Sequence, residues 1–156
     1  MVRQTYENNL DREREVNFQK WMKSNHNIDL YKLPIKYSVD FLAEVNEKPV
    51  GWIELRWRRH KHGVYKEFMI AQYKIKKMID LYESTSIPSY LYIRHNDCIS
   101  YIEVRRHHAI GNNSLGKSAV RWGGMNNMRD DQDREPCVYI PIDNFMKMEG
   151  IVGDQE

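Results

Sequence analysis

The chain has 156 residues, 29% of them charged, with a formal net charge of +2. That length suffices for a single domain, predicted over 1–156, with a real hydrophobic core. No apolar run approaches the ~20 residues that span a bilayer, so a membrane partner is excluded. Two cysteines, Cys98 and Cys137, in no metal-type spacing and an N-terminus without an apolar signal segment point to a reducing cytoplasm.

From about Asn8 to Ser24, the apolar residues Leu10, Phe18, Trp21 and Met22 share a helical stripe, with Glu15 beside it. The segment "HNIDLYKLPIK" holds Pro34 and is irregular or a short strand. "YSVDFLAEV" then alternates as a strand, "NEK" is a turn by composition, and "PVGWIELRWRR" is a second strand. The pair predicts a hairpin. Its second strand places Ile53, Leu55 and Trp57 on one face, and Glu54, Arg56 and Arg58 on the other. After the loop "HKHGVYKE", the residues Phe68, Ala71, Ile75, Met78, Ile79 and Tyr82 predict a helix over 68–83. "SIPSYLYIRH" and "CISYIEVRR" form a second strand pair around "NDC". The stretches "AIGNNSLGKS" and "RWGGMNNMRDDQDREP" are loop-like. "CVYIPIDNF" is a short strand or extended segment, in which Pro141 favours a sheet edge. Hairpins separated by one long helix predict an α+β or α/β/α arrangement around a mixed sheet.

Asp40 and Glu54 fall on the two strands of the first hairpin, each flanked by apolar residues. Carboxylates held close repel, and burial raises the cost. A hard divalent cation relieves both penalties, and Mg²⁺ takes one or two carboxylates plus water and phosphate oxygens. The same pattern also fits two acids turned to solvent on the hairpin's polar side.

"YSVDFLAEVNEKPVGWIELRWRR" followed by "VYKEFMIAQYKIKKMIDL" resembles the PD-(D/E)xK nuclease superfamily. The resemblance implies an αβββαβ restriction-endonuclease-like core over about 7–105, a central mixed sheet flanked by helices, and a loop-rich C-terminal extension over about 106–150. It implies hydrolysis of DNA phosphodiesters by Mg²⁺- or Mn²⁺-activated water attacking phosphorus in line. Asp40 matches the motif Asp and Glu54 the acid of the second half-motif, with the Leu55 carbonyl as a further metal ligand. The family's lysine falls on Arg56, a departure. Lys74 matches a lysine that some phage-type members carry on the following helix. Glu15 is the candidate for the first-helix acid, with Glu7 and Glu13 behind it. Many relatives act as dimers, so a homodimer is implied, in the host cytoplasm if the chain is phage-encoded.

Arginine keeps the positive charge but cannot be deprotonated to act as a base. Three consequences stay open: Arg56 stabilises charge, Lys74 or Lys66 takes the lysine's place, or catalysis is lost and a DNA- or protein-binding module remains. Arg58, Arg59 and Lys61 follow the motif strand, and Arg105 and Arg106 end a later one. Both clusters suit phosphate contact at the active edge, and both equally suit solvated loop ends. Trp57 and Tyr65 suit base stacking or core packing. His60 and His62, like His107 and His108, lack partners at a metal-binding spacing.

Residues 111–118, "GNNSLGKS", also fit the nucleotide-binding pattern G-x-x-x-x-G-K-[ST]. That mechanism needs a helix directly after the loop, whereas "SAVRW" runs into Gly123 and Gly124. Lys117 and Arg121 remain candidates for contact with a nucleic-acid backbone.

Overall fold

The structure, a computed structural model, describes residues 9–105, 117–122 and 134–153. Its elements in chain order are α1 (Asn9–His26), β1 (Asp29–Lys32), β2 (Phe41–Val45), β3 (Lys48–Trp57), β4 (Glu67–Ala71), α2 (Gln72–Thr85), β5 (Ser89–Arg94), β6 (Ile99–Val104), β7 (Lys117–Trp122), β8 (Arg134–Pro141) and β9 (Met146–Lys147). Six strands form a mixed sheet in the order β1-β2-β3-β5-β6-β9, and β4-β8-β7 form a second sheet. The αβββαβ order is present as α1, β1–β3, α2 and β5, around a mixed sheet with two helices. Neither helix is long and apolar enough to cross a membrane.

Helix α1 stops where its sequence stops supplying a stripe. Asn27 takes a left-handed conformation (φ 54°), Asn27 N–H donates to the Lys23 carbonyl and Ile28 N–H to that of Met22. The first of these bonds closes a left-handed cap, which asparagine adopts more readily than most residues other than glycine. Phe18 and Met22 are the stripe residues that α1 buries fully. They pack with Phe41, Ile53, Leu55, Tyr92 and Ile99 on one face of the large sheet.

The β2–β3 turn is Asn46-Glu47, both with positive φ (51° and 65°), and Val45 pairs with Lys48. Two left-handed residues match the twist of a two-residue hairpin. Strand β3 then runs antiparallel to β2 and parallel to β5, so it lies inside the sheet. The crossover from β3 to β5 carries β4 and α2.

The expected helix over 68–83 is divided. Phe68 and Ile70 are buried while Glu67 and Met69 are exposed, a period of two, and this stretch is β4. The helix starts at Gln72. Local periodicity cannot see the reason: β4 pairs with β8, from Glu67 opposite Pro141 to Ala71 opposite Cys137. Strand β8 is thereby the middle strand of its sheet, and Pro141, its last residue, sits at a strand end rather than on a sheet edge. "SAVRW", read as part of the loop-rich extension, lies in β7. Phe68, Ile70, Val138 and Ile140 join Trp52, Ile75, Met78, Leu91 and Ile93 in a second core, on the other side of the large sheet.

Candidate active site

Both faces of β3 are covered, which answers what its alternation is for. Ile53 and Leu55 point to the α1 core and Trp52 to the α2 core. Glu54 shares the Trp52 side by strand alternation, is only 5% exposed, and meets Lys74 from α2. The acid is therefore not on a wet surface.

Asp40 sits one residue before β2. Its N–H donates to the Ile53 carbonyl, and its own carbonyl accepts from Leu33 N–H. Its carboxylate Oδ2 accepts from Leu55 N–H at 2.8 Å, standing in for the strand partner that β2 no longer supplies. In an extended strand the N–H and C=O of one residue point the same way, so the Leu55 carbonyl faces the side that Asp40 occupies. Asp40, Glu54 and Leu55 thus border one cleft of about 470 Å³, together with Glu15, Lys32, Arg56, Tyr73 and Lys74.

Glu54 carries two cationic neighbours. Arg56 Nη2 lies 3.1 Å from Oε2, and Lys74 Nζ lies 3.5 Å from Oε1. Lys74 also donates to the Ser38 carbonyl at 3.0 Å, which fixes its reach. Even so, burial first and the charge of Asp40 second push the Glu54 carboxyl up to about 7, against the downward pull of Arg56 and Lys74. The chemistry on offer is an acidic pair under electrostatic stress, with an ammonium and a guanidinium at its edge.

The remaining expected site residues divide. Glu15 lines the cleft, but it is ion-paired to Lys32 at 2.9 Å. Glu13 borders a different cavity, and Glu7 lies outside the described residues. Lys66 is exposed on the loop before β4, so of the two alternative lysines Lys74 is the one beside the acids. Arg58 is half-buried, with its guanidinium 4.5 Å from the Phe68 ring centre and Nη1 donating to the Trp57 carbonyl. Arg59 and Lys61 are exposed after β3. Arg105 pairs with Glu103 at 2.6 Å. It follows Val104, which is opposite Ser89, itself opposite Trp52. The two basic clusters are therefore at opposite ends of the large sheet and do not flank one edge together. Arg106 lies outside the described residues, as does most of 111–118. Lys117 and Ser118 open strand β7, so the helix whose N-terminus would receive a phosphate is not there, and the nucleotide-loop reading fails.

Sequence reasoning missed Asp11, Arg14, Lys32 and Tyr73, which also line the cleft. Asp11, Arg14 and Glu15 stand three and four apart on α1, so the helical spacing that selected Glu15 carries all three. Lys32 and Tyr73 had no such signal. Among the described residues, no group of three or more His, Cys, Asp and Glu side chains is arranged to hold a metal, so carboxylates alone do not complete a coordination shell.

No protein of curated function matches the chain by sequence. Among solved structures it is similar to Hjc, a Holliday junction resolvase of the hyperthermophilic archaeon Archaeoglobus fulgidus. The TM-score is 0.53 at 8% identity, over 87% of this chain and 88% of that one. At that identity the likeness speaks for the fold alone. A family model described as "Phage putative PDDEXK endonuclease" matches residues 1–148, and the chain belongs to that family.

Proposed function

We propose that the chain is a metal-dependent endonuclease that hydrolyses phosphodiester bonds of DNA at the Asp40–Glu54 cleft. The observation that carries this reading is the buried Glu54 carboxylate. Burial and the neighbouring Asp40 make it hard to ionise, and a cation between the two acids removes that penalty. PD-(D/E)xK nucleases generally use divalent metals, and an all-oxygen donor set suits Mg²⁺ or Mn²⁺. Asp40, Glu54 and the Leu55 carbonyl would hold the ion. When bound, it supplies Lewis acidity towards water and the phosphate.

The other residues then take defined tasks. Lys74, held by Ser38 and Glu54, orients water or a phosphate oxygen through its ammonium. Arg56, tied to Glu54, offsets charge gathering on the phosphate with its fork of donors and moves no proton. Glu15 and Lys32 border the route by which the backbone enters. A homodimer, as the resemblance implies, belongs to the same proposal and is checked by sedimentation.

Plasmid, single-stranded and branched DNA are incubated with Mg²⁺ or Mn²⁺. Cleavage is expected, and its loss in both Asp40→Ala and Glu54→Ala. DNA binding without cleavage under any metal would instead assign a binding module, one of the readings that the Arg56 departure leaves open.

A further inference from the structure

A second cavity, of about 310 Å³, opens between α1 and the C-terminal end of β3. The chemistry of its walls has no place in the hydrolytic site. Phe18, Trp21 and Trp57 supply flat apolar surface, and Arg14 and Arg94 supply charge. Both guanidinium groups lie over the Trp57 indole, 5.0 Å and 5.6 Å from the ring centre. Arg94 is buried, and its bonds go to the backbone carbonyls of His95 and Gly153 rather than to a carboxylate. Among the described residues lining the cavity, Glu13 is the single acid.

Two donors here lack an acceptor. Trp57 Nε1 and Arg14 Nη2 are both shielded from solvent, and neither has a hydrogen-bond partner. Buried donors of this kind cost stability until something accepts from them. Two guanidiniums set among three aromatic rings suit an acceptor-bearing, negatively charged group with a flat apolar part. Inorganic phosphate would leave the aromatic walls uncovered, and a hydrocarbon would leave the donors unmet. A nucleotide satisfies both.

Arg14 and Trp57 also line the Asp40–Glu54 cleft, so the two spaces share a wall. We propose that this cavity receives one unpaired nucleotide adjoining the scissile phosphate, which makes single-stranded or branched DNA the preferred substrate. The proposal rests on the nuclease reading above. A base stacked inside a continuous duplex cannot enter without being turned out, and that cost falls on duplex alone.

The test is equilibrium binding in EDTA of a fluorescein-labelled single strand, and of the same strand annealed to its complement. Wild-type protein is expected to favour the single strand by about tenfold, within the range of one base–aromatic stack. Trp57→Phe keeps a ring and removes the N–H, and should weaken single-strand binding by about fivefold, with a smaller loss on duplex. Asn17→Trp is a second variant, at an exposed α1 position on the cavity's rim. It narrows the cavity without touching the core and should show the same selective loss. Equal losses on both DNAs, no loss on the single strand, or a wild-type preference for duplex overturns the proposal. Cleavage of single-stranded or branched DNA that requires Asp40 and Glu54 but ignores both cavity variants would sink this inference alone. Absence of both binding and cleavage would sink the nuclease reading with it.

Discussion

Glu54→Gln is expected to make the metal-free protein more stable and the enzyme inactive. Glu54 is raised from 4.5 to about 7. A folded-state value above the unfolded one means that the carboxyl contributes stability fully below pH 4.5, and that this contribution is lost as pH rises through 7. At about 1.4 kcal/mol per tenfold change, the loss approaches about 3 kcal/mol by pH 8. The attractions to Arg56 and Lys74 are already inside that figure, because they pull the value down. Glutamine stays neutral throughout, so the two proteins should melt within a few degrees of each other near pH 5 in EDTA. They should diverge as pH rises, the variant melting about 6–12 °C higher at pH 8 for a chain of this size. Calorimetry across pH 5 to 8 measures the divergence. Adding Mn²⁺ at pH 8 should raise the wild-type melting temperature and leave the variant unmoved. If the variant is the less stable protein at pH 8, or if the gap does not change with pH, Glu54 is not under the stress argued here.

Other outcomes follow from the same structure. Lys74→Met should lower the rate of cleavage by about a hundredfold or more, the usual cost of removing a charged donor from a transition state, with DNA affinity nearly unchanged. Arg56→Lys restores the family's motif residue and should retain activity, with a pH optimum moved down if the new amine titrates near the acids. His95 is buried, faces His60 and His62, and has its imidazole pushed down to about 4 by burial and those neighbours. Its contribution is complete above pH 6.5 and disappears as pH falls through 4, so His95→Asn should flatten the acid limb of the stability curve, read by chemical denaturation. Glu47→Gly relieves a non-glycine residue at φ 65° and should stabilise by about 0.5–1 kcal/mol in urea melts.

The residues whose meaning is local were the legible ones. Glu54 stood out because an acid in an apolar alternation needs a reason, and Asp40 because it sits across a two-residue turn from it. The stripe of Phe18 and Met22 located α1, since both residues face one core. What the sequence concealed depends on distant partners. Phe68 and Ile70 look helical beside Ile75 and Met78 until β8 arrives from the C-terminal third to pair with them. Arg58 and Arg105 look like matching phosphate arms because each follows a strand. The strands' registers set them at opposite ends, and no spacing along the chain encodes that. Arg58 also shows why a run of cations misleads: its guanidinium lies against Phe68, where its aliphatic stem serves packing.

Pairing of Glu67–Ala71 with Cys137–Pro141 has a consequence for anyone seeking a minimal nuclease. Ending the polypeptide near residue 105, well short of the 1–148 that the family model matches, would remove the partner of β4 and strip cover from Phe68 and Ile70. Helix α2 begins directly after that strand, and it is α2 that carries Lys74 to the acids. The tail is in this sense a clamp on Lys74, and shortening it should loosen the cleft before it unfolds the sheet.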